Sequence, residues 1–216
     1  MSEFSLPVTI VLLAVPIIFA ITVHEVAHGW IAQQLGDDTA AVMGRLTLNP
    51  VRHMDLLGTL IIPFVLVLSG HSPFGWAKPV PVNWQNLQQP KRDMAYVAVA
   101  GPLANLCMLI LWAFVIKFTV MFAGSGGDIS RALLFMAEGG ILINSVLMIL
   151  NLFPIPPLDG SRVLTALLPE KWARAYVKIE PLGLVIVLLL FFTGYLGKLL
   201  IPLVMAFNHL VYTVLV

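Results

Sequence analysis

Apolar runs separated by short polar stretches order this chain: residues 6–35, 56–70, 94–123, 131–152 and 181–207 or beyond. About 20 residues span the hydrocarbon core of a bilayer. Four of the runs meet that length, whereas 56–70 is short and is interrupted by Pro63. The pattern predicts an all-α polytopic membrane protein, a bundle of about four to six transmembrane helices with a re-entrant or short strand-like segment. There is no internal repeat, no low-complexity tract and no stretch long enough for a separate soluble domain. The expectation is one integral-membrane domain over 1–216, with core segments 6–35, 94–123 and 131–168, a re-entrant or loop region 36–93 and a C-terminal helix region 181–216.

Composition supports lipid as the solvent. The chain is 59% hydrophobic and 11% charged, with mean hydropathy +0.95, where a water-soluble domain carries about 25% charged residues. A net charge of +1, from basic residues scattered between apolar runs, excludes the electrostatic footprint of a nucleic-acid binder. The single cysteine, Cys107, rules out a disulfide framework and a thiolate cluster, and is expected to be packing. The N-terminus, MSEFS, lacks the basic flank of a signal peptide, so the first run is expected to stay in the mature protein.

The first run contains HEVAH at residues 24–28. On a helix, positions i and i+4 share a face, so His24 and His28 can aim two imidazole nitrogens at one point with Glu25 beside them. Ionisable groups inside a membrane helix are costly and mark functional sites by default. A hydrolytic zinc takes three protein ligands and leaves a position for water. The candidates for the third are His53, His71, His209, Asp55, Asp93, Glu138 and Asp159.

Of these, Asp159 stands in the most rigid context, at the end of NLFPIPPLDG (151–160). Pro154, Pro156 and Pro157 remove three backbone donors and are expected to force 153–158 into an extended path, tolerated at membrane depth only against protein or a water-filled cavity. A metal ion would offset much of the cost of burying the carboxylate. Asn151, just before the break, has the amide needed to hold a carbonyl or oxyanion, or equally to cap its own helix.

HEVAH, then GPLAN at 101–105, then NLFPIPPLDG together resemble the three core motifs of the site-2 protease family of intramembrane zinc metalloproteases. GRLTLNPVRHMD (44–55) and GWAKPVPVN (75–83) resemble a small bacterial and archaeal branch of it. The resemblance implies a zinc metalloendopeptidase with one Zn2+ per chain bound by His24, His28 and Asp159. It also implies Glu25 as general base and acid, Asn151 holding the scissile carbonyl, and a single-span membrane protein as substrate. The length leaves no room for the PDZ or CBS domains of larger relatives. From another class, a divalent-metal transporter or sensor could use the same His and Asp ligands, but it leaves Glu25 and the proline-rich break without a role.

Topology follows from requiring one metal site. HEVAH lies toward the C-terminal end of its run and Asp159 follows the end of the fourth, so an even number of crossings must separate them. Runs 94–123 and 131–152 supply two, and 56–70 is therefore expected to be re-entrant or otherwise not to change sides. Arg45, Arg52, Lys78, Lys91, Arg92, Arg162, Lys171, Arg174 and Lys178, nine of the twelve basic residues, then share one face. By the positive-inside rule that face is cytoplasmic, which makes this a multi-pass protein of the cell membrane with its site toward the cytoplasm. The segment 70–83 alternates proline with apolar residues and is expected beside the site as an edge strand or loop, with Trp76 at the interface. His53 is a candidate gating or capping group, His71 and His209 are expected at the interface, and Asn105 is expected to bond across helices.

Overall fold

The computed structural model describes residues 4–70, 75–123 and 126–216. Among them, four helices are long and apolar enough to cross a membrane: α1 (Leu6–Gln34), the α4 span (Pro90–Phe122), α5 (Asp128–Asn151) and α9 (Tyr195–Leu215). Proline stands in the first turn of both α1 and α4, where its missing N–H costs no intrahelical bond. The protein is thus an all-α polytopic membrane protein. Its centre is α4, which packs on α1, α5 and α9 and on the short helix α6 (Asp159–Leu167). Leu109, Ala113 and Ile116 of α4 form the core with Ala137 and Ile141 of α5 and Val211 of α9.

Among the described residues between α1 and α4, no helix is long enough to cross. After the single-turn helix α2 (Thr39–Val42) and a tight turn at Pro50–His53, Leu56–Ile61 forms a wide helical turn continued by α3 (Ile62–Leu68). These thirteen residues reach about 20 Å, short of a hydrocarbon core. The returning chain is tied to the start of the same segment. Trp76 N–H donates to the Gly58 carbonyl (3.1 Å), and Lys78 N–H to the His53 carbonyl (2.9 Å). The Thr59 hydroxyl donates to the Trp76 carbonyl (3.0 Å). The two arms therefore meet, and Trp76 lies against Gly58. His71 lies outside the described residues.

Three expectations need correction. The last apolar run is two helices, α8 (Glu180–Phe192) and α9, because Thr193 and Gly194 interrupt it and Gly194 takes a left-handed conformation (φ 75°) open to glycine. Cys107 is exposed on the outer surface of α4 and does not pack in the bundle. The break at 152–158 is a compact double turn, not an extended strand. Ile155 N–H reaches the Phe153 carbonyl (2.8 Å) and Leu158 N–H the Ile155 carbonyl (2.9 Å), closing the chain on itself. It is packed against protein: Tyr176, on the short helix α7 (Glu170–Val177), donates its hydroxyl to the Pro154 carbonyl (2.7 Å), and α8 lies against Pro156 at Gly183. The surroundings thereby replace the donors that the prolines removed.

Buried Asp37 fastens the loop that leads into α4 to the end of α1. Its carboxylate accepts from Asn83 N–H (2.7 Å), from the Asn86 amide (2.9 Å) and from Thr39. Burial alone would raise its pKa, but the Thr39 hydroxyl, the Asn86 amide and the backbone N–H groups outweigh it, and the group titrates below its ordinary value of 3.8. A depressed folded pKa means that the stabilisation is complete above about pH 4 and is lost as pH falls through the lower folded value.

Two outcomes are expected. With Cys107 replaced, Arg52→Cys and Lys78→Cys react with an impermeant maleimide from the same side of oriented vesicles; labelling from opposite sides would mean that 56–70 crosses. The difference in thermal midpoint between wild type and Asp37→Asn stays constant above about pH 4 and narrows at lower pH, as differential scanning fluorimetry would record.

Candidate metal centre

His24 and His28 lie one turn apart on α1, ten and six residues before its end at Gln34, and both are buried. Their Nε2 atoms are 3.1 Å apart. Asp159, the first residue of α6, brings its Oδ2 to 3.2 Å from His24 Nε2 and 3.3 Å from His28 Nε2. Among the described residues this is the group of His, Cys, Asp and Glu whose ligand atoms converge as a metal site requires.

The tautomers can be read from backbone atoms, which have fixed roles. His28 Nδ1 faces the Val97 carbonyl (2.7 Å), an acceptor only, so Nδ1 carries the proton. His24 Nδ1 faces Asn105 Oδ1 (2.6 Å). The orientation of that amide is set by Asn105 Nδ2, which donates to the Ala20 carbonyl (3.2 Å) and to Asn144 Oδ1 (2.9 Å). Asn144 is fixed in turn, donating to the Gly140 carbonyl (2.8 Å). His24 Nδ1 is therefore a donor as well, and both Nε2 atoms present lone pairs.

Two lone pairs and a carboxylate oxygen within 3.3 Å of one another repel unless a cation lies between them. Asp159 Oδ2, buried and without a hydrogen-bond donor, supports that reading. Ligands at about 2.0–2.1 Å from a tetrahedral ion are roughly 3.3 Å apart, which matches the three observed separations. The residues present thus fit a zinc ion held by three protein ligands.

The close approach is made possible by α4. Gly101 faces the two imidazoles, and a Cβ there would stand 2.5 Å from His24 Cε1 and 2.6 Å from its Nε2, as well as against His28 Nε2. Gly101 and Asn105, at i and i+4 in GPLAN, therefore act on one face, the glycine giving room and the asparagine holding a ring. Glu25 projects from the next position of α1, and its Oε2 accepts from the backbone N–H of Val80 at 2.8 Å. The segment 75–83 does lie beside the site.

Other candidates are placed elsewhere. His53 is buried and hydrogen bonds to the Thr47 carbonyl (2.8 Å), Asp55 caps Gly58 N–H (2.7 Å), and Asp93 caps Gln89 N–H (2.7 Å) beside Arg92. Glu138 and His209 are exposed on α5 and α9. Asn151 ends α5 with its amide on the Leu147 carbonyl (3.0 Å) of its own helix. The roles of Val97, Asn144 and Val80 were not anticipated. Asn144, four residues after Gly140, repeats the Gly-x-x-x-Asn spacing of GPLAN and could have signalled the second asparagine.

Two histidines and an aspartate, one ligand fewer than a tetrahedral ion takes, flanked by a glutamate on an apolar helix, define the class of a membrane-embedded metallohydrolase. The chain is 36% identical to YwhC of Bacillus subtilis over 185 residues, 84% of this chain and 80% of YwhC. Rip2 of Mycolicibacterium smegmatis is 28% identical over 183 residues, 84% of this chain and 66% of Rip2. Rip2 of Mycobacterium tuberculosis is 30% identical over 174 residues, 80% and 63% of the two chains. All three carry provisional zinc-metalloprotease names. No family model matches the chain, and no solved structure does. The chain belongs to the site-2 protease family of zinc metalloproteases.

Asn105→Ala removes the acceptor that orients His24 and should weaken Zn2+ binding by about 10- to 100-fold, measured as metal retained against a competing chelator. Gly101→Ala is expected to lower retention as well, by forcing the two rings apart.

Proposed function

We propose that this protein is an intramembrane zinc endopeptidase that hydrolyses peptide bonds of single-span membrane proteins. The observation that carries the reading is the convergence of Asp159 on His24 and His28, which with Glu25 belong to a helix of 29 mostly apolar residues. His24 stands about 15 Å before the end of α1, so the chemistry would take place below the surface of the bilayer. The zinc-metalloprotease names of the relatives favour hydrolysis over metal transport, and Glu25 would have no task in a transporter.

His24, His28 and Asp159 would hold the ion, which supplies a water of lowered pKa and polarises the scissile carbonyl. Glu25 takes a proton from the attacking water as the C–O bond forms and then delivers it to the amine nitrogen as the C–N bond breaks, so the proton count closes. Val80 N–H holds one oxygen of that carboxylate, leaving Oε1 for the proton. Asn151 would hold the scissile carbonyl oxygen with the amide N–H that it does not give to the Leu147 carbonyl. The reading includes the lipid bilayer as solvent, the cell membrane as location and a site opening toward the cytoplasm, supported by the hydrogen bonds that join the two arms around 56–70 and by the nine basic residues that then share one face. A helical substrate hides its amides in its own hydrogen bonds and must unwind locally before it can be cut.

The decisive test uses purified protein and a panel of single-span peptides. Glu25→Gln should keep its zinc and lose about 100- to 10,000-fold in kcat, whereas Asp159→Ala should lose both zinc and cleavage. Cleavage at the wild-type rate by Glu25→Gln would remove Glu25 from the base role. Zinc retained by folded Asp159→Ala would remove Asp159 from the ligand set.

A further inference from the structure

Arg45 is buried, 7% exposed, and among the described residues it pairs with no carboxylate. Its Nη2 instead donates to two successive carbonyls, those of Lys78 (2.8 Å) and Pro79 (3.3 Å). A guanidinium taken out of water for two neutral acceptors is costly, and what it secures is the chain immediately before Val80.

The segment is anchored on both sides of that residue. Lys78 N–H is bound to the His53 carbonyl (2.9 Å), and Asn83 N–H to the Asp37 carboxylate (2.7 Å). Pro79 and Pro81 fix φ on either side of Val80 and favour an extended backbone at Lys78 and Val80. Val80 itself is buried over α1, where a Cβ at Gly29 would come 2.8 Å from its Cγ1. The one backbone donor of Pro79–Val80–Pro81, Val80 N–H, meets Glu25 Oε2.

We propose that Arg45 is a positioning residue for Glu25, acting through the Lys78–Pro79 carbonyls and the Val80 amide; this rests on Glu25 being the general base. Arg45 sets the register of 78–80, the Val80 amide selects the rotamer of the Glu25 carboxylate, and Oε1 is thereby turned to the attacking water. Without Arg45 the carboxylate still reaches the site but loses its fixed direction, and a displacement of about 1 Å in a reacting group is enough to cost roughly 100-fold in rate.

The experiment compares wild type, Arg45→Ala, Arg45→Lys, Val80→Pro and Glu25→Gln in detergent. One measurement is backbone amide exchange, in which the Val80 amide should exchange at least about tenfold faster in Arg45→Ala than in wild type, while Asn83, held by Asp37, stays protected. The other is cleavage of a quenched-fluorescent single-span peptide with an Asn-Gly pair in its span. Arg45→Ala and Val80→Pro should each lower kcat by about 10- to 100-fold with KM and zinc content unchanged. Arg45→Lys, whose ammonium ends short of the guanidinium Nη2, should fall between, and the Arg45→Ala/Val80→Pro double variant should be no worse than the poorer single one. Unchanged Val80 exchange, wild-type kcat in Arg45→Ala beside an inactive Glu25→Gln, or loss of zinc and of Asn83 protection together would each overturn the positioning role. An active Glu25→Gln would instead overturn the proposed function beneath it.

Discussion

Three electron-rich atoms forced to within 3.3 Å of one another are the condition on which this structure turns. In a low-dielectric bundle their mutual repulsion is far stronger than in water, and a divalent cation converts it into attraction. The fold has to hold the atoms there before any ion arrives. Gly101 does so by removing a side chain from between the rings, and Val97 and Asn105 do so by taking the protons that would otherwise turn the lone pairs away. Even the topology follows, since α1 and α6 can share an ion only if the chain between them returns to the side from which it left.

Keeping imidazoles neutral and oriented inside lipid requires that each polar group added for the purpose be satisfied in turn. The line from His24 to Asn105 to Asn144 ends on the Gly140 carbonyl, with Ala20 taking the second proton of Asn105. Every amide in it ends on an acceptor whose role cannot change, so the network has one arrangement rather than two. That makes α4, which contributes no ligand, the element that determines what the ligands on α1 can do.

The converging group was legible because metal chemistry demands particular residue types at particular spacings: HEVAH puts two imidazoles on one helix face, and Asp159 stands out as a carboxylate beside a proline-rich break. The meeting of the two arms around 56–70 was legible by parity, once one metal was assumed. What could not be read were contacts made by backbone atoms, such as those of Val97 and Val80, since any residue type supplies them. The proline-rich break was misjudged for a related reason. Prolines remove donors, but whether the chain then extends or turns depends on partners such as Tyr176 and Gly183, which arrive from helices later in the chain. The division of the last run at Gly194 was missed because a single glycine leaves the hydropathy of its surroundings unchanged.

The alternation of Pro79, Val80 and Pro81 also limits what a peptide lying along this part of the chain could find. Two of the three positions have no N–H, and the third has given its N–H to Glu25. The stretch is therefore an acceptor-only edge that cannot zip up with a second copy of itself, and it is closed to the edge-to-edge association that threatens exposed strands. A guest peptide would have to bring the donors itself, which an intact helix cannot do and an unwound one can.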